Sequence, residues 1–435
     1  MYREISKLLL FGELGENSIL ENVAQIIKES ENPTSDKDEL IKRSYHEVKR
    51  ILDLSTDCGF DTNLWQSYLT YILMTNENSF TKTCERVGST DGSVNLFALG
   101  DFEVFRKLMH YDFSELEKRL GIDCFSVICN YRAIPKRKRL YNHDISTQVA
   151  ELRAKLADAA SAQEIFDIVT DYYKRYGYGL FAMSRAFRIS DDNSKGLKFL
   201  PISNVDNVML DDLLGYEQQK KELRDNTIAF LKGKKANNVL LYGDAGTGKS
   251  TSVKALINEY FDSGLRMIEI YKHQFCDLSA VISAVKNRNY RFIIFIDDLS
   301  FEENEVEYKF LKAVIEGGVE TRPENILIYA TSNRRHLVKE TWKDRDDMEH
   351  KGDIHRSDTI EEKTSLAARF GVSINYNAPT PKEYHEIVRA LAERNGITMD
   401  EEELRRIANT WEIRHGGFSG RAAQQLIQYL ESREE

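Results

Sequence analysis

The chain has 435 residues, of which 41% are hydrophobic and 30% charged, with a formal net charge of −10. This is the balance of globular domains rather than of a disordered chain, and 435 residues leave room for two or three cores. The acidic total gives no general footprint for nucleic acid, although a local basic patch remains compatible with it. No apolar run approaches the roughly 18 residues needed to span a bilayer, and the Leu8-Leu9-Leu10-Phe11 run, soon followed by Glu13 and Glu16, makes a poor signal peptide. A cytoplasmic protein without membrane contact is expected. The five cysteines, Cys58, Cys84, Cys124, Cys129 and Cys276, show no C-x-x-C spacing and predict neither a disulfide frame nor a zinc site.

Residues 1–160 read as a helical N-terminal domain. Leu40-Ile41, Tyr45, Val48 and Ile51-Leu52 recur at helical spacing, and Leu64-Trp65, Tyr68-Leu69 and Ile72-Leu73 repeat the pattern after a break at Gly59 to Asn63. A further pair is expected over Phe102 to Met109 and Phe113 to Leu120. These stripes carry no recognisable chemistry and are read as core. Pro135-Lys136-Arg137-Lys138-Arg139 is a dense basic cluster, read as a solvated linker. Residues 161–204 are expected to connect this domain to the next, with helices to Tyr176 and a turn at Asp191 to Gly196.

The stretch Asn237 to Thr251 carries the strongest signal. An apolar strand, Val239 to Tyr242, leads into Gly243-Asp244-Ala245-Gly246-Thr247-Gly248-Lys249-Ser250, which fits the Walker A pattern G-x-x-x-x-G-K-[ST] at every fixed position. Glycines let the backbone N–H groups turn inward to phosphates, and a helix starting near Lys249 adds its positive end. Lys249 is then placed for the β- and γ-phosphates, and the Ser250 hydroxyl for Mg2+. Phe292 to Ile296 followed by Asp297-Asp298 reads as a buried parallel strand ending in two carboxylates, a Walker B pattern. Asp297 would hold Mg2+ and Asp298 would polarise the attacking water. ATP and Mg2+ are the expected cofactors.

Ile326 to Asn333, another apolar run with a polar end, follows these two motifs in the order that resembles the sensor 1 strand of AAA+ ATPases. Ser365-Leu366-Ala367-Ala368-Arg369-Phe370-Gly371 resembles the segment bearing their arginine finger, and Gly417-Phe418-Ser419-Gly420-Arg421 resembles sensor 2. The resemblance implies that Asn333 orients the water, that Arg369 reaches a neighbouring subunit's ATP, and that Arg421 reaches the phosphates of its own chain. Gly215 and Tyr216, ahead of the helix Glu217 to Leu231, would lie beside the adenine. It also implies a ring, a hexamer by likeness.

Many relatives carry glutamate where this chain has Asp298, so slow or partner-dependent hydrolysis is expected. LDDLLGYEQQKKEL, FIIFIDDLSF, EGGVETRPENILIYATSNRRHL and EEKTSLAARFG together resemble, over residues 165–435, a bacterial AAA+ group known as Domain of Unknown Function 815.

The expected fold is an α/β P-loop (AAA+) module with a parallel sheet over 205–377 and a C-terminal helical lid over 378–435, preceded by the mostly α-helical domain. Between Thr341 and Lys363 the chain is dense in charge; His350 and His355 lie there without metal-site spacing and are read as part of a solvated loop. The connection Lys272 to Asp277 (KHQFCD) lacks the aromatic-apolar-glycine loop of threading unfoldases, which favours remodelling or assembly of an unknown client protein. The alternatives are a nucleic-acid-associated ATPase resembling helicase loaders or transposition helpers, supported by Lys136 to Arg139 and Arg334-Arg335, or a slowly hydrolysing scaffold.

Overall fold

The computed structural model describes residues 1–15, 17–88, 92–134, 143–191, 196–202, 205–301, 305, 307–316, 323–333, 337 and 366–433. The basic cluster Pro135 to Arg139, Arg334, Arg335, Ser365 and the charged stretch Thr341 to Lys363 with its two histidines lie outside these residues. The chain divides into two compact units, Met1–Arg185 with Pro201–Asn204, and Ala186–Leu200 with Val205–Glu435.

The first unit is helical, as the spacing of its apolar residues predicts. Its longest described helix, Lys37–Cys58, is started by Asp36, whose carboxylate accepts the N–H groups of Asp38 and Glu39, and is ended by Gly59 in the left-handed conformation. The core is rich in rings: Phe11, Trp65, Phe80, Phe102 and Phe125 are all buried. Trp65 donates its indole N–H to Leu108 O at 2.8 Å, so its one polar atom is satisfied inside. The helix Ala162–Tyr176 buries Ile165, Phe166, Val169, Tyr172 and Tyr173 in this same core. The unit therefore runs past the expected boundary at 160, because that helix has an apolar face to cover.

Asp101, 1% exposed, sits within the helix Ser93–Met109 and accepts the backbone N–H groups of Leu9, Leu10 and Phe11 at 3.0, 2.8 and 2.9 Å. A carboxylate in this position gathers three donors that would otherwise be lost to water.

The second unit is built on a seven-stranded sheet: β1 (Ala186–Ile189), β2 (Phe199–Pro201), β3 (Val239–Gly243), β4 (Leu265–Glu269), β5 (Arg291–Ile296), β6 (Ile326–Ser332) and β7 (Val372–Tyr376), in the order β2-β1-β4-β5-β6-β3-β7. The expected connecting segment thus supplies β1, whose Ala186 and Phe187 pair with Met267 and Ile268 of β4. From β1 to β7 every neighbouring pair is parallel. Burial follows from that arrangement, for β6 is buried at every residue and β5 at all but its first.

The lid is formed by the helices Pro381–Arg394, Glu401–Arg414 and Gly420–Glu431, which share a core of Tyr384, Val388, Leu404, Ala423 and Leu426. Thr380 starts the first of them with a capping box, its hydroxyl facing Glu383 N and the Glu383 carboxylate returning to Thr380 N. Among the described residues no helix is long and apolar enough to cross a membrane. Together these parts make an α/β P-loop module with a helical lid, preceded by a helical unit.

Asp101→Ala is expected to lower the stability of the helical unit by about 3 kcal/mol or more, since it leaves three donors without their acceptor. Urea unfolding followed by tryptophan fluorescence measures it; Asp101→Asn, which keeps an acceptor oxygen, should lose less.

Candidate functional site

Parallel strands end on one side of a sheet, and β3, β6 and β5 are successive neighbours, so the segments after Gly243, Ser332 and Ile296 meet there. Gly243 is required by close approach: a Cβ on it would stand 2.2 Å from the carbonyl oxygen of Tyr376 on β7. The loop then turns through Gly246 and Gly248, with φ of 76° and 92°, into the helix Lys249–Tyr260. Gly248 is the N-cap and offers no side chain, so the first-turn N–H groups remain for an anion. Asp244 and Ala245 are exposed, whereas Thr247 is buried with its hydroxyl on Asp244 O at 2.8 Å. Thr251 is half-buried in the first turn of the helix.

Lys249 is buried, and its ammonium donates to Gly243 O at 3.0 Å, Asp244 O at 2.6 Å and Asn333 Oδ1 at 3.1 Å. Burial lowers the Lys249 pKa from its ordinary value, against the pull of the Asp244, Asp298 and Asp297 carboxylates; the charge of Arg421 lowers it further. A polyanion at this loop would restore what burial removes.

Asp297 Oδ1 accepts from Ser250 Oγ at 2.5 Å and from Thr331 Oγ1 at 2.6 Å. One hydroxyl and one carboxylate oxygen so close together form a hard donor pair suited to Mg2+. Among the described residues no group of three His, Cys, Asp or Glu side chains could hold a metal ion.

Asp298 has a left-handed backbone, φ 51°, donates its N–H to Thr331 Oγ1 at 2.9 Å, and accepts Asn333 Nδ2 at 2.9 Å. A continuous chain of contacts therefore runs from Ser250 through Asp297, Thr331, Asp298 and Asn333 to Lys249. Thr331 joins the Asp297 carboxylate to the Asp298 backbone N–H and sequence reasoning missed it; its one signal is a hydroxyl residue near the end of an otherwise apolar buried strand.

Arg421 stands in the first turn of the lid helix Gly420–Glu431 and donates its backbone N–H to Gly246 O at 3.1 Å. Gly246 leaves no room for a side chain there, since a Cβ would meet Ser419 Oγ at 3.1 Å and Arg421 Cβ at 3.2 Å. Arg369 lies elsewhere. It precedes β7, and the five residues of that strand, at about 3.3 Å each, separate the two edges of the sheet by roughly 16 Å, beyond an arginine's reach. The structure gathers Lys249, Ser250, Asp297, Asp298, Asn333 and Arg421 at one edge and leaves Arg369 at the other.

Gly215 and Tyr216 are consecutive left-handed residues, φ 78° and 61°, at the start of the helix Glu217–Leu231. With Leu214, Pro379, Ile387 and Ala390, and with Glu217, Glu383 and Arg389 also in its wall, they line a cavity of about 800 Å3 between the start of that helix and the lid. Tyr216 stacks on Tyr376, with ring centres 5.0 Å apart, and donates its hydroxyl to Asn377 O at 2.7 Å. Burial pushes the Tyr216 phenol up to about 12, so it keeps its proton.

A family model described as "Protein of unknown function (DUF815)" matches residues 182–434. Over 61 residues the chain is 44% identical to the replication factor C large subunit of Nanoarchaeum equitans (strain Kin4-M), a match spanning 14% of each protein. Among solved structures, the RuvB Holliday junction branch migration motor of Thermotoga maritima aligns with a TM-score of 0.36 at 19% identity, over 52% of this chain and 64% of that one. The FIGL-1 AAA domain in complex with ADP aligns with a TM-score of 0.36 at 20% identity, over 52% and 73%.

Thr331→Val removes the donor to Asp297 and the acceptor for Asp298 N–H without changing shape. It is expected to cost about 1 to 3 kcal/mol in urea unfolding and to raise the Mg2+ concentration that half-saturates nucleotide binding, whereas Thr331→Ser should restore both.

Proposed function

We propose, for a chain that belongs to the DUF815 family of proteins of unknown function and has the AAA+ α/β module, that the site binds Mg2+·ATP and hydrolyses it, driving remodelling or assembly of a partner protein. The observation that carries this reading is the contact chain linking Lys249, Asn333, Asp298, Thr331, Asp297 and Ser250 at one sheet edge. Ser250 and Asp297 would hold Mg2+, which neutralises charge developing on the phosphates. Lys249 and the loop N–H groups bind the β- and γ-phosphates in place of its present acceptors. Asp298, oriented by the Asn333 amide, polarises a water for attack on the γ-phosphorus, and ADP leaves. Arg421 meets the phosphates from the lid, and the cavity beside Gly215 and Tyr216 takes the base.

Arg369, on the far edge of the sheet, serves the nucleotide of a neighbouring copy, so hydrolysis belongs to an assembly, a ring by family likeness. A second reading, an ATPase acting with nucleic acid, draws on the 44% identity over 61 residues to a replication factor C subunit. The net charge of −10 weighs against it. ATPase stimulated by DNA in parallel with steeply salt-sensitive binding would select that second reading.

Lys249→Ala should abolish ATP binding in calorimetric titration, while Asp298→Asn should retain binding with hydrolysis slowed by about 10²-fold or more. Arg369→Ala should keep binding and lose about 10³-fold in turnover, and turnover per chain should fall on dilution. Turnover that is unchanged on dilution to monomer would remove the shared site.

A further inference from the structure

The end of β7 touches the phosphate loop at more places than a neighbouring strand requires. The pairing of β3 with β7 runs through Gly243 opposite Tyr376, and Asp244 N donates to Tyr376 O at 3.0 Å, so the start of the loop is held by backbone. The far end is held by side chains. Tyr376, 1% exposed, donates its hydroxyl to Ser252 Oγ at 3.0 Å, and Ser252 donates in turn to Gly248 O at 2.9 Å. One residue therefore fixes the loop at both ends.

The same residue faces two other parts of the site. Its ring carries the Tyr216 ring, next to the cavity for the base. Two residues on, Ala378 N donates to Asp244 Oδ2 at 2.6 Å, immediately before Pro379 and Thr380 lead into the lid.

We propose that Tyr376 is a positioning residue that sets the shape of the phosphate loop before nucleotide arrives, its hydroxyl acting through Ser252 on Gly248 while Asp244 ties the loop to the start of the lid. A loop built of glycines has many conformations to lose on binding. Fixing Gly248 O orients the peptide whose N–H belongs to Lys249, the first residue of the anion-binding turn. The loop is thereby ordered in the empty protein rather than by the phosphates. Burial pushes the Tyr376 phenol up to about 12, so the hydroxyl remains a donor through the physiological range.

The test has two arms. Amide hydrogen exchange on the nucleotide-free full chain compares wild type, Tyr376→Phe, Ser252→Ala and the double variant. Tyr376→Phe keeps the ring stack and removes only the hydroxyl. The amides at the two ends of the loop, Asp244 on Tyr376 O and Ser252 on Gly248 O, should exchange about tenfold faster in Tyr376→Phe, and the double variant should be no faster than the faster single one, because both changes break one chain of bonds. Asp244→Ala should release the Ala378 amide, and Asp244→Asn, which keeps an acceptor, should restore its protection. Wild-type exchange in Tyr376→Phe, or additive effects in the double variant, would overturn the proposal.

The second arm rests on the ATPase reading above: Tyr376→Phe should raise the ATP concentration for half-maximal rate about tenfold and lower the saturated rate by less. Wild-type protein that fails to bind ATP would end that reading, while the exchange arm would still decide whether Tyr376 orders the loop.

Discussion

The site depends on the parallel pairing of β3, β6 and β5. Parallel strands share a direction, so the residues that follow them must emerge at one edge, and the order of the sheet decides which of them become neighbours. Because β6 lies between β3 and β5, Thr331 near its end reaches Asp297 and the Asp298 backbone on one side, while Asn333 just beyond reaches Lys249 on the other. A one-residue slip of β6 would point Thr331 to the opposite face and separate the acid pair from the lysine. The apolar residues that fill these strands thus maintain the register on which the polar ends rely.

Charge is arranged around that edge with an evident imbalance. Asp244, Asp297 and Asp298 act through charge on one buried ammonium, whose hydrogen-bond acceptors are two backbone carbonyls and an amide oxygen. An incoming triphosphate adds negative charge to a place already supplied with it, so binding needs the positive groups that arrive with it or close over it. On the proposed reading, Mg2+ at Ser250 and Asp297, and Arg421 from the lid, would serve. The direct hydrogen bond between Arg421 N and Gly246 O shows how closely the lid already approaches the loop.

Much of the second unit was legible in the sequence because its signals are local. Glycines at fixed spacing, apolar runs with acidic ends and the helix Glu217–Leu231 each announce themselves within a dozen residues. Thr331 and Tyr376 do not, since a threonine in a buried strand and a tyrosine at a strand end are ordinary core choices. Their importance comes from neighbours 34 and 124 positions away in the chain. The boundary near 160 misled for a related reason: the apolar stripe of Ala162–Tyr176 reveals that a face is buried without revealing in which core. The short β1 is too brief to signal that it joins the sheet beside β4.

Asp298 holds a backbone shape that its side chain makes uncomfortable. With φ at 51° it sits where a Cβ crowds the chain, at a cost of about 1 kcal/mol that glycine would escape. Glycine would also remove the carboxylate. If Asp298 polarises the water as proposed, selection for robustness alone would push this position towards the residue that silences the site, and a screen for heat-tolerant variants of this protein would collect inert ones.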